Sequence, residues 1–110
     1  MSGWFELNKS SNFQYHFVLK AGNGEVILSS EIYQSKASAQ NGISSVQTNS
    51  QSDDRYEKRL SQKSQPYFVL KAANNQIIGM SQMYSSIAAC DVGIASVKAN
   101  GSTVIVKDNA

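Results

Sequence analysis

The residues of this chain that could carry out chemistry are few and far apart. His16 is the only histidine and Cys90 the only cysteine among 110 residues. A catalytic triad needs a histidine gathered with a nucleophile and an orienting carboxylate, and the Gly-x-Ser-x-Gly motif is absent. One histidine and one cysteine cannot supply the four ligands of a structural zinc site. We therefore expect no catalytic residue, no metal and no cofactor, and we interpret Cys90 as a buried apolar residue.

Two short motifs resemble ligand-binding loops but lack the residues that such loops require. Asp53 and Asp54 have no third carboxylate at the spacing of a calcium loop. Gly22-Asn23-Gly24 is not followed by the Gly-Lys-Ser/Thr of a phosphate-binding loop. It is typical of a β-hairpin turn, because Asn and Gly adopt positive φ readily.

Composition and charge limit the class of protein. Apolar residues make up 41% of the chain, which is enough to form the core of one domain. The net charge of +2 is too small to indicate a polyanion partner, and the basic excess clusters at Arg55, Lys58, Arg59 and Lys63. A single cysteine excludes an intramolecular disulfide. The N-terminal residues do not read as a secretory signal and no apolar run could span a bilayer, so we expect a cytoplasmic protein without membrane contact.

The chain contains an internal duplication. Shifted by 51 residues, residues 17–50 align without a gap to residues 68–101, and 16 of these 34 positions are identical. Two similar units in one chain are expected to pack about a pseudo-two-fold axis, as the protomers of a homodimer do. We predict one domain over residues 1–110, with repeats at approximately 3–52 and 54–110, and we expect a monomer because the duplication already supplies the partner.

Hydrophobic periodicity predicts three strands and a helix in each repeat. Strands are predicted at 4–8, 15–21 and 26–32, with Phe17 and Leu19 on one face of the second. Ser35 is the predicted N-cap of a helix that ends near residue 50. The apolar stripe of this helix consists of Ala39, Ile43 and Val46.

The second repeat follows the same plan. Asn74-Asn75 forms the hairpin turn, Ser85 or Ser86 caps the helix, and a strand follows each helix, at 54–60 and 103–107. The predicted stripe of the second helix consists of Ile87, Cys90, Ile94 and Val97. Strands joined by hairpins favour antiparallel pairing, and two amphipathic helices need one apolar surface to cover. The sequence thus predicts an α+β fold with a single mainly antiparallel sheet and two helices packed on one face.

Gly42 and Gly93 occupy matching positions in the middle of the two helices. Glycine there costs about 1 kcal/mol relative to alanine. We predict that both are retained for a close approach of the backbone, with one helix packing against the other at the pseudo-two-fold axis.

Several segments resemble the YegP family of small bacterial proteins. They are GWFEL at 3–7, FVLKAGNGEVILSSE at 17–31, NNQIIGMSQMY at 74–84 and GIASVKANG at 93–101. The resemblance covers nearly the whole chain and includes the tandem organisation. It implies a β3-α-β unit used twice, with the C-terminal strands exchanged between the repeats to form a single sheet. It implies no biochemical activity and offers no catalytic motif.

The side of the sheet away from the helices, which we call the open face, is the predicted binding surface. If Phe5, Leu7, Phe17 and Leu19 face the helices, the alternating residues of the same strands lie on the open face. The candidate residues are Trp4, His16, Lys20, Arg55, Tyr67 and Lys71. Aromatic and basic side chains on a sheet can stack bases and neutralise phosphates, although Glu6 and Glu57 interrupt the positive charge.

Three classes of function stay open at this point. A non-enzymatic binding or interaction module is favoured, because the chain lacks a catalytic constellation and has a plausible exposed face. A nucleic-acid-binding protein that uses the open face is the first alternative, and an enzyme of unrecognised type is the second. The sequence identifies neither a protein nor a nucleic-acid partner.

Overall fold

The computed structural model describes residues 3–110 and confirms the predicted order of elements. Asp53–Arg55 forms a 3-10 turn, so the strand predicted from residue 54 begins at Tyr56. The elements are β1 (Trp4–Lys9), β2 (Tyr15–Lys20), β3 (Val26–Ser30), α1 (Lys36–Asn49), β4 (Tyr56–Leu60), β5 (Pro66–Lys71), β6 (Ile77–Met80), α2 (Ile87–Asn100) and β7 (Val106–Asp108).

The seven strands form one sheet in the order β4-β5-β6-β3-β2-β1-β7. All neighbouring pairs are antiparallel except β1 and β7, which run parallel. β4, which follows α1, is the counterpart of β1 and pairs with β5 as β1 pairs with β2. β7, which follows α2, crosses to the first repeat and pairs with β1. The α+β class with a single sheet is therefore confirmed, and β7 is the C-terminal strand that joins the other repeat.

The pseudo-two-fold axis passes between β3 and β6, where equivalent residues of the two repeats face each other. Ser29 pairs with Met80, its counterpart 51 residues later. Beside the axis, on the helix side, Leu28 and its counterpart Gly79 share one space. A Cβ atom on Gly79 would lie 2.7 Å from Cδ2 of Leu28. A homodimer would carry the same residue at both positions, whereas a tandem chain can place one large and one minimal residue there.

A single hydrophobic core lies between the sheet and the two helices. The stripe predicted for α1 is confirmed, since Ala39, Ile43 and Val46 are buried. The stripe predicted for α2 is wrong at Ile87, which is 52% exposed because it lies at the end of the helix, as the first residue after the N-cap. The core cluster consists of Phe5, Leu7, Phe17, Leu19, Ile27, Leu28, Ala39, Ile43, Val46, Phe68, Leu70, Ile78, Cys90 and Val97.

Serine caps fix the start of both helices. The Ser35 hydroxyl accepts a hydrogen bond from the Ser38 N–H, and the Ser86 hydroxyl accepts one from the Ala89 N–H, both at 3.1 Å. Ser86, of the two serines proposed for the second helix, is therefore the N-cap. Each cap satisfies one of the backbone N–H groups that the first turn of a helix leaves without a partner.

The two helical glycines make the predicted close approach, but to tyrosines of their own repeat and not to the other helix. A Cβ atom on Gly42 would clash with the hydroxyl of Tyr33 and would lie 2.8 Å from Cε2 of Phe17. A Cβ atom on Gly93 would clash with the hydroxyl of Tyr84. Each tyrosine ring stacks on a core phenylalanine, so its position over the glycine is fixed. The prediction of a helix–helix contact at these glycines is wrong.

The last strand is shorter than the predicted 103–107 because its approach is held by α1. The Gln47 side chain donates a hydrogen bond to the Thr103 carbonyl at 2.8 Å, and the Thr103 N–H bonds to the Asn100 carbonyl. The ladder with β1 starts where the Phe5 N–H reaches the Ile105 carbonyl at 2.9 Å. Pairing with β1 then covers Val106–Asp108.

Candidate binding face

The helices leave one side of the sheet uncovered, which is the predicted open face. Phe5, Leu7, Phe17 and Leu19 are at most 1% exposed on the helix side, so the residues between them lie on the open face. On the strands of the first repeat, the open face carries Trp4, Glu6, Asn8, His16, Val18 and Lys20. On the strands of the second repeat, it carries Glu57, Arg59, Tyr67, Val69 and Lys71.

The sheet order divides the candidate residues into two strips. Trp4, His16 and Lys20 lie on β1 and β2, whereas Tyr67 and Lys71 lie on β5, with β3 and β6 between them. At about 4.8 Å per strand, β2 and β5 are roughly 14 Å apart. Trp4 is directly opposite Lys20, while His16 is opposite Asn8 at the far end of the same strands.

Arg55 does not lie on a strand, contrary to the prediction. It is the last residue of the 3-10 turn and is partly exposed. The turn forms because the Tyr56 N–H bonds to the Asp53 carbonyl, which closes the chain before β4 begins. The strand ladder therefore does not assign Arg55 to the open face.

The first strip is organised around the carboxylate of Glu6. The Trp4 indole N–H donates to Glu6 Oε2 at 2.9 Å, and the Lys20 ammonium lies 3.1 Å from the same oxygen. The indole hydrogen bond, with Lys20, lowers the pKa of Glu6. From β7, the Lys107 Nζ lies 4.3 Å from the centroid of the Trp4 ring, so one face of the indole is covered by a cation.

The second strip repeats this arrangement around Glu57. Its carboxylate accepts hydrogen bonds from Lys71, at 2.7 Å, and from Arg59. These two partners, Lys71 foremost, lower the pKa of Glu57. Glu6 and Glu57 are counterparts in the 51-residue alignment, so both lysines that were candidates for phosphate binding are paired with a carboxylate of the neighbouring strand. Pattern analysis treated these acids as interruptions and missed their role, although their duplication was a visible signal.

Between the strips, at the pseudo-two-fold axis, the surface forms an apolar depression of about 240 Å³. Val26 and Met80, which are 41% and 40% exposed, form its apolar part. The depression is lined by Val26, Leu28, Ser29, Ser30, Met80, Ser81 and Gln82. Sequence reasoning missed Met80, although the alignment of Met80 with the small polar Ser29 marks a difference between otherwise similar repeats.

The depression arises because β3 and β6 pair over only two residue pairs, Ser29–Met80 and Ser30–Gly79. At the strand ends, the Ser30 and Ser81 hydroxyls turn inward and accept hydrogen bonds from the Phe17 and Phe68 N–H groups, at 2.8 and 2.9 Å. These duplicated serines thus replace backbone partners of the ladder, and the surface above them stays unfilled.

Val69 is buried although it lies on the open face. It is 1% exposed and sits outside the core cluster on the helix side. Its cross-strand neighbours are Glu57 and Met80, so ion-paired and apolar side chains cover it. The open face therefore has an apolar centre of its own.

The two residues with the most reactive side chains lie on opposite sides of the sheet. Cys90 is fully buried in the core beneath α2, and burial raises the pKa of its thiol. His16 lies on the open face. Within residues 3–110, no three His, Cys, Asp or Glu side chains converge on a point where they could hold a metal ion. In the same range, no helix is long and apolar enough to cross a membrane.

The chain is similar to known bacterial proteins over its whole length. Residues 10–57 and 61–108 each match the family described as "Domain of unknown function (DUF1508)". The UPF0339 protein of Shewanella oneidensis is 65% identical over 108 residues, which is 98% of both chains. The UPF0339 protein YegP of Escherichia coli K12 is 61% identical over 109 residues, which is 99% of both chains.

Two solution NMR structures share the fold. The UPF0339 protein from S. oneidensis superimposes with a TM-score of 0.92 over 98% of this chain and 92% of its own, at 65% identity. The E. coli protein yegP, described as a protein of unknown function, gives a TM-score of 0.93 over 99% of this chain and 94% of its own, at 60% identity.

Proposed function

We propose that this protein, which belongs to the UPF0339 family with two DUF1508 repeats, is a non-enzymatic binding module that contacts a partner protein through its open face. The observation that carries the proposal is the apolar depression at the centre of this face. Two exposed apolar residues, Val26 and Met80, lie there on a sheet surface that no helix covers. An apolar centre inside a polar rim is the usual anatomy of a protein–protein contact.

The rim of the depression supports a protein partner over a nucleic acid. Lys20 and Lys71 are bound to Glu6 and Glu57, so a phosphate would have to displace a carboxylate before it could use either lysine. A base that stacks on Trp4 would compete with Lys107 for one face of the ring. Paired charges of this kind suit the rim of a protein interface, where they add specificity more than affinity.

Substitution of Met80 by serine tests the proposal. Serine is the residue that the first repeat carries at the equivalent position, so the sheet tolerates it there. Purified wild-type protein, immobilised and exposed to cell extract, is expected to retain a partner that can be purified and rebound, with the Met80→Ser variant at least tenfold weaker. The control is Met83→Ser, which removes a methionine of similar exposure, 43%, outside the depression.

Equal retention by wild type and both variants would contradict the use of the open face. Nucleic-acid binding is tested separately by titrating Trp4 fluorescence with single-stranded RNA and DNA at low and moderate salt. Quenching that falls steeply with salt and is lost in the Lys20→Ala/Lys71→Ala variant would favour nucleic acid instead, because released counterions drive such binding. Reproducible turnover by the purified protein, lost on one substitution, would contradict a non-enzymatic role.

A further inference from the structure

We propose that the outer edge of β4 binds an extended acidic segment of another protein by strand addition. This site is separate from the open face and does not rest on it. The first strands of the two repeats differ: β1 is covered by β7, whereas β4 lies at the edge of the sheet, with β5 as its only sheet neighbour within residues 3–110. An edge strand presents unpaired backbone groups to which a further strand can hydrogen-bond.

The hydrogen bonds between β1 and β7 show which backbone groups of β4 face outward. On β1, the Phe5 N–H and the Leu7 carbonyl bond to β7, at 2.9 and 2.8 Å. The counterparts of Phe5 and Leu7 are Tyr56 and Lys58, and the registers agree, since Phe5 pairs with Leu19 and Tyr56 with Leu70. The Tyr56 N–H is already bonded to Asp53. The free part of the edge therefore runs from the Tyr56 carbonyl through Lys58 to Leu60, which is 62% exposed.

The charge of this edge defines the partner. Residues 55–63 contain four basic side chains and one acidic side chain, whereas the equivalent residues 4–12 contain one of each. Among residues 3–110, salt bridges engage Lys58 with Asp91 and Arg59 with Glu57, but none engages Arg55 or Lys63. An added strand would pass Arg59 on the open face and Lys58 on the helix side, where its acidic residues would share these cations with Glu57 and Asp91. Arg55 and Lys63 add positive charge that no salt bridge among residues 3–110 offsets.

β7, the strand that covers β1, also carries charges that are complementary to the residues around it. Lys107 of β7 lies opposite Glu6 in the ladder, and Asp108 of β7 makes an ion pair with Lys36 of α1 at 2.7 Å. At the β4 edge, Trp4 is replaced by Arg55 and Asn8 by Arg59. β7 thus pairs with β1 through complementary charges. At the basic edge of β4, the complementary strand is an acidic one.

A second copy of this chain fits the edge less well. Pairing of β4 with β4 about its outward-facing Lys58 would bring two lysines together. Each residue 55–63 segment has a net charge of +3 from its four basic and one acidic residues, so the two segments repel each other. The acidic partner removes this repulsion.

The test uses a synthetic seven-residue peptide with blocked ends, in which valine and aspartate alternate. Amide spectra of the 15N-labelled protein are expected to change at β4 and at the part of α2 around Asp91, with binding that weakens as salt increases. A peptide with lysine in place of aspartate should not bind. A peptide of the same acidic sequence, N-methylated at its central amides, should not bind either, because strand addition needs those donors.

Variants locate the site. Lys58→Glu and Arg55→Glu are expected to weaken binding of the acidic peptide roughly fivefold or more each. Lys9→Glu makes the same charge change near the opposite edge and should leave binding unchanged, as should Met80→Ser, which disables only the open face. The proposal is overturned if the acidic peptide causes no spectral change, if the N-methylated peptide binds equally well, if the changes map to the open face, or if light scattering shows a dimer that buries β4.

Discussion

The first and second repeats share many of the residues that pack each helix on the sheet, but they differ where the two repeats meet and along their first strands. Ser30 and Ser81 make the same backbone hydrogen bonds, and Tyr33 and Tyr84 stack on equivalent phenylalanines. At the axis, by contrast, the Leu28 side chain fills the space beside Gly79 in the core, and Ser29 pairs with Met80 on the open face. Among the first strands, β1 is covered by β7, whereas its counterpart β4 lies at the edge of the sheet.

The comparison shows where a duplicated chain can differ between its two repeats and a homodimer cannot. A residue far from the axis packs within its own repeat, so both repeats can carry the same residue at that position. A residue on the axis meets its own counterpart, so two large side chains would compete for one space. The surfaces that differ between the repeats, the depression beside Met80 and the edge of β4, are also the two surfaces for which we propose partners.

The largest effect is expected at Leu28 and Gly79. Leu28→Gly should lower the free energy of unfolding by about 4 kcal/mol, because it empties a fully buried site. Gly79→Leu should lower it by about 2–3 kcal/mol through overpacking against Leu28. The double variant should lose at least about 2 kcal/mol less than the sum, since the introduced leucine fills the vacated space. Urea unfolding measures all three, and additive losses would refute the shared-space account.

Removal of residues 103–110 should have the next largest effect. The truncation breaks the ladder between β1 and β7 and exposes the β1 edge, with an expected loss of about 3 kcal/mol from roughly three backbone hydrogen bonds. The exposed edge should also promote self-association, seen by light scattering. The Lys58→Leu variant, in which β4 carries the apolar residue that β1 has at Leu7, should self-associate less than the truncated chain. A truncated chain that stays monomeric with an unchanged urea midpoint would contradict this role of β7.

The helical glycines should show a smaller effect. Gly42→Ala is expected to destabilise by about 1–2 kcal/mol, because the clash with Tyr33 and Phe17 outweighs the gain of about 1 kcal/mol in helix propensity. Gly93→Ala should cost at least as much, since the added Cβ would lie 2.6 Å from Cζ of Tyr84, against 2.9 Å between a Cβ on Gly42 and Cζ of Tyr33. Thermal unfolding measures both. A stabilised Gly42→Ala variant would mean that the tyrosine moves aside freely.

The two carboxylates of the open face should produce the smallest effect. Both have a lowered pKa in the folded protein, so their contribution to stability is present above pH 4.5 and is lost as the pH falls below it. The Glu6→Gln/Glu57→Gln variant should therefore lose less stability than wild type on acidification through this range. Because the ion pairs are exposed to solvent, the difference is small. Parallel acid curves for the two proteins would show that the pairs contribute nothing.

Local patterns predicted most of the fold because they record packing within one repeat. The alternation at Phe17 and Leu19, the stripe of α1 and the serine caps all depend on neighbours in the sequence. Alternation does not predict which residues of β3 face the core, for a physical reason: the β2–β3 register shifts at Leu19/Lys20, so the adjacent residues Ile27 and Leu28 are both buried in the core. A bulge of this kind depends on the partner strand, so the alternation of apolar and polar residues in the sequence does not predict it.

The candidate binding face was less predictable because it depends on the order of strands. Pattern analysis placed Lys20 and Lys71 on one surface, but could not show that β3 and β6 separate them. It also could not show that Lys107, from the far end of the chain, covers Trp4. The depression beside Met80 exists only where the two repeats join, so neither repeat predicts it alone.

Photo-crosslinking in living cells tests most directly whether the open face is the binding surface. A photoreactive amino acid replaces either Met80, in the depression, or Val92, which is 70% exposed on α2 on the opposite side of the sheet. Our account predicts a discrete crosslinked protein from position 80 and none from position 92. Crosslinks from position 92 alone, or the same products from both positions, would contradict it.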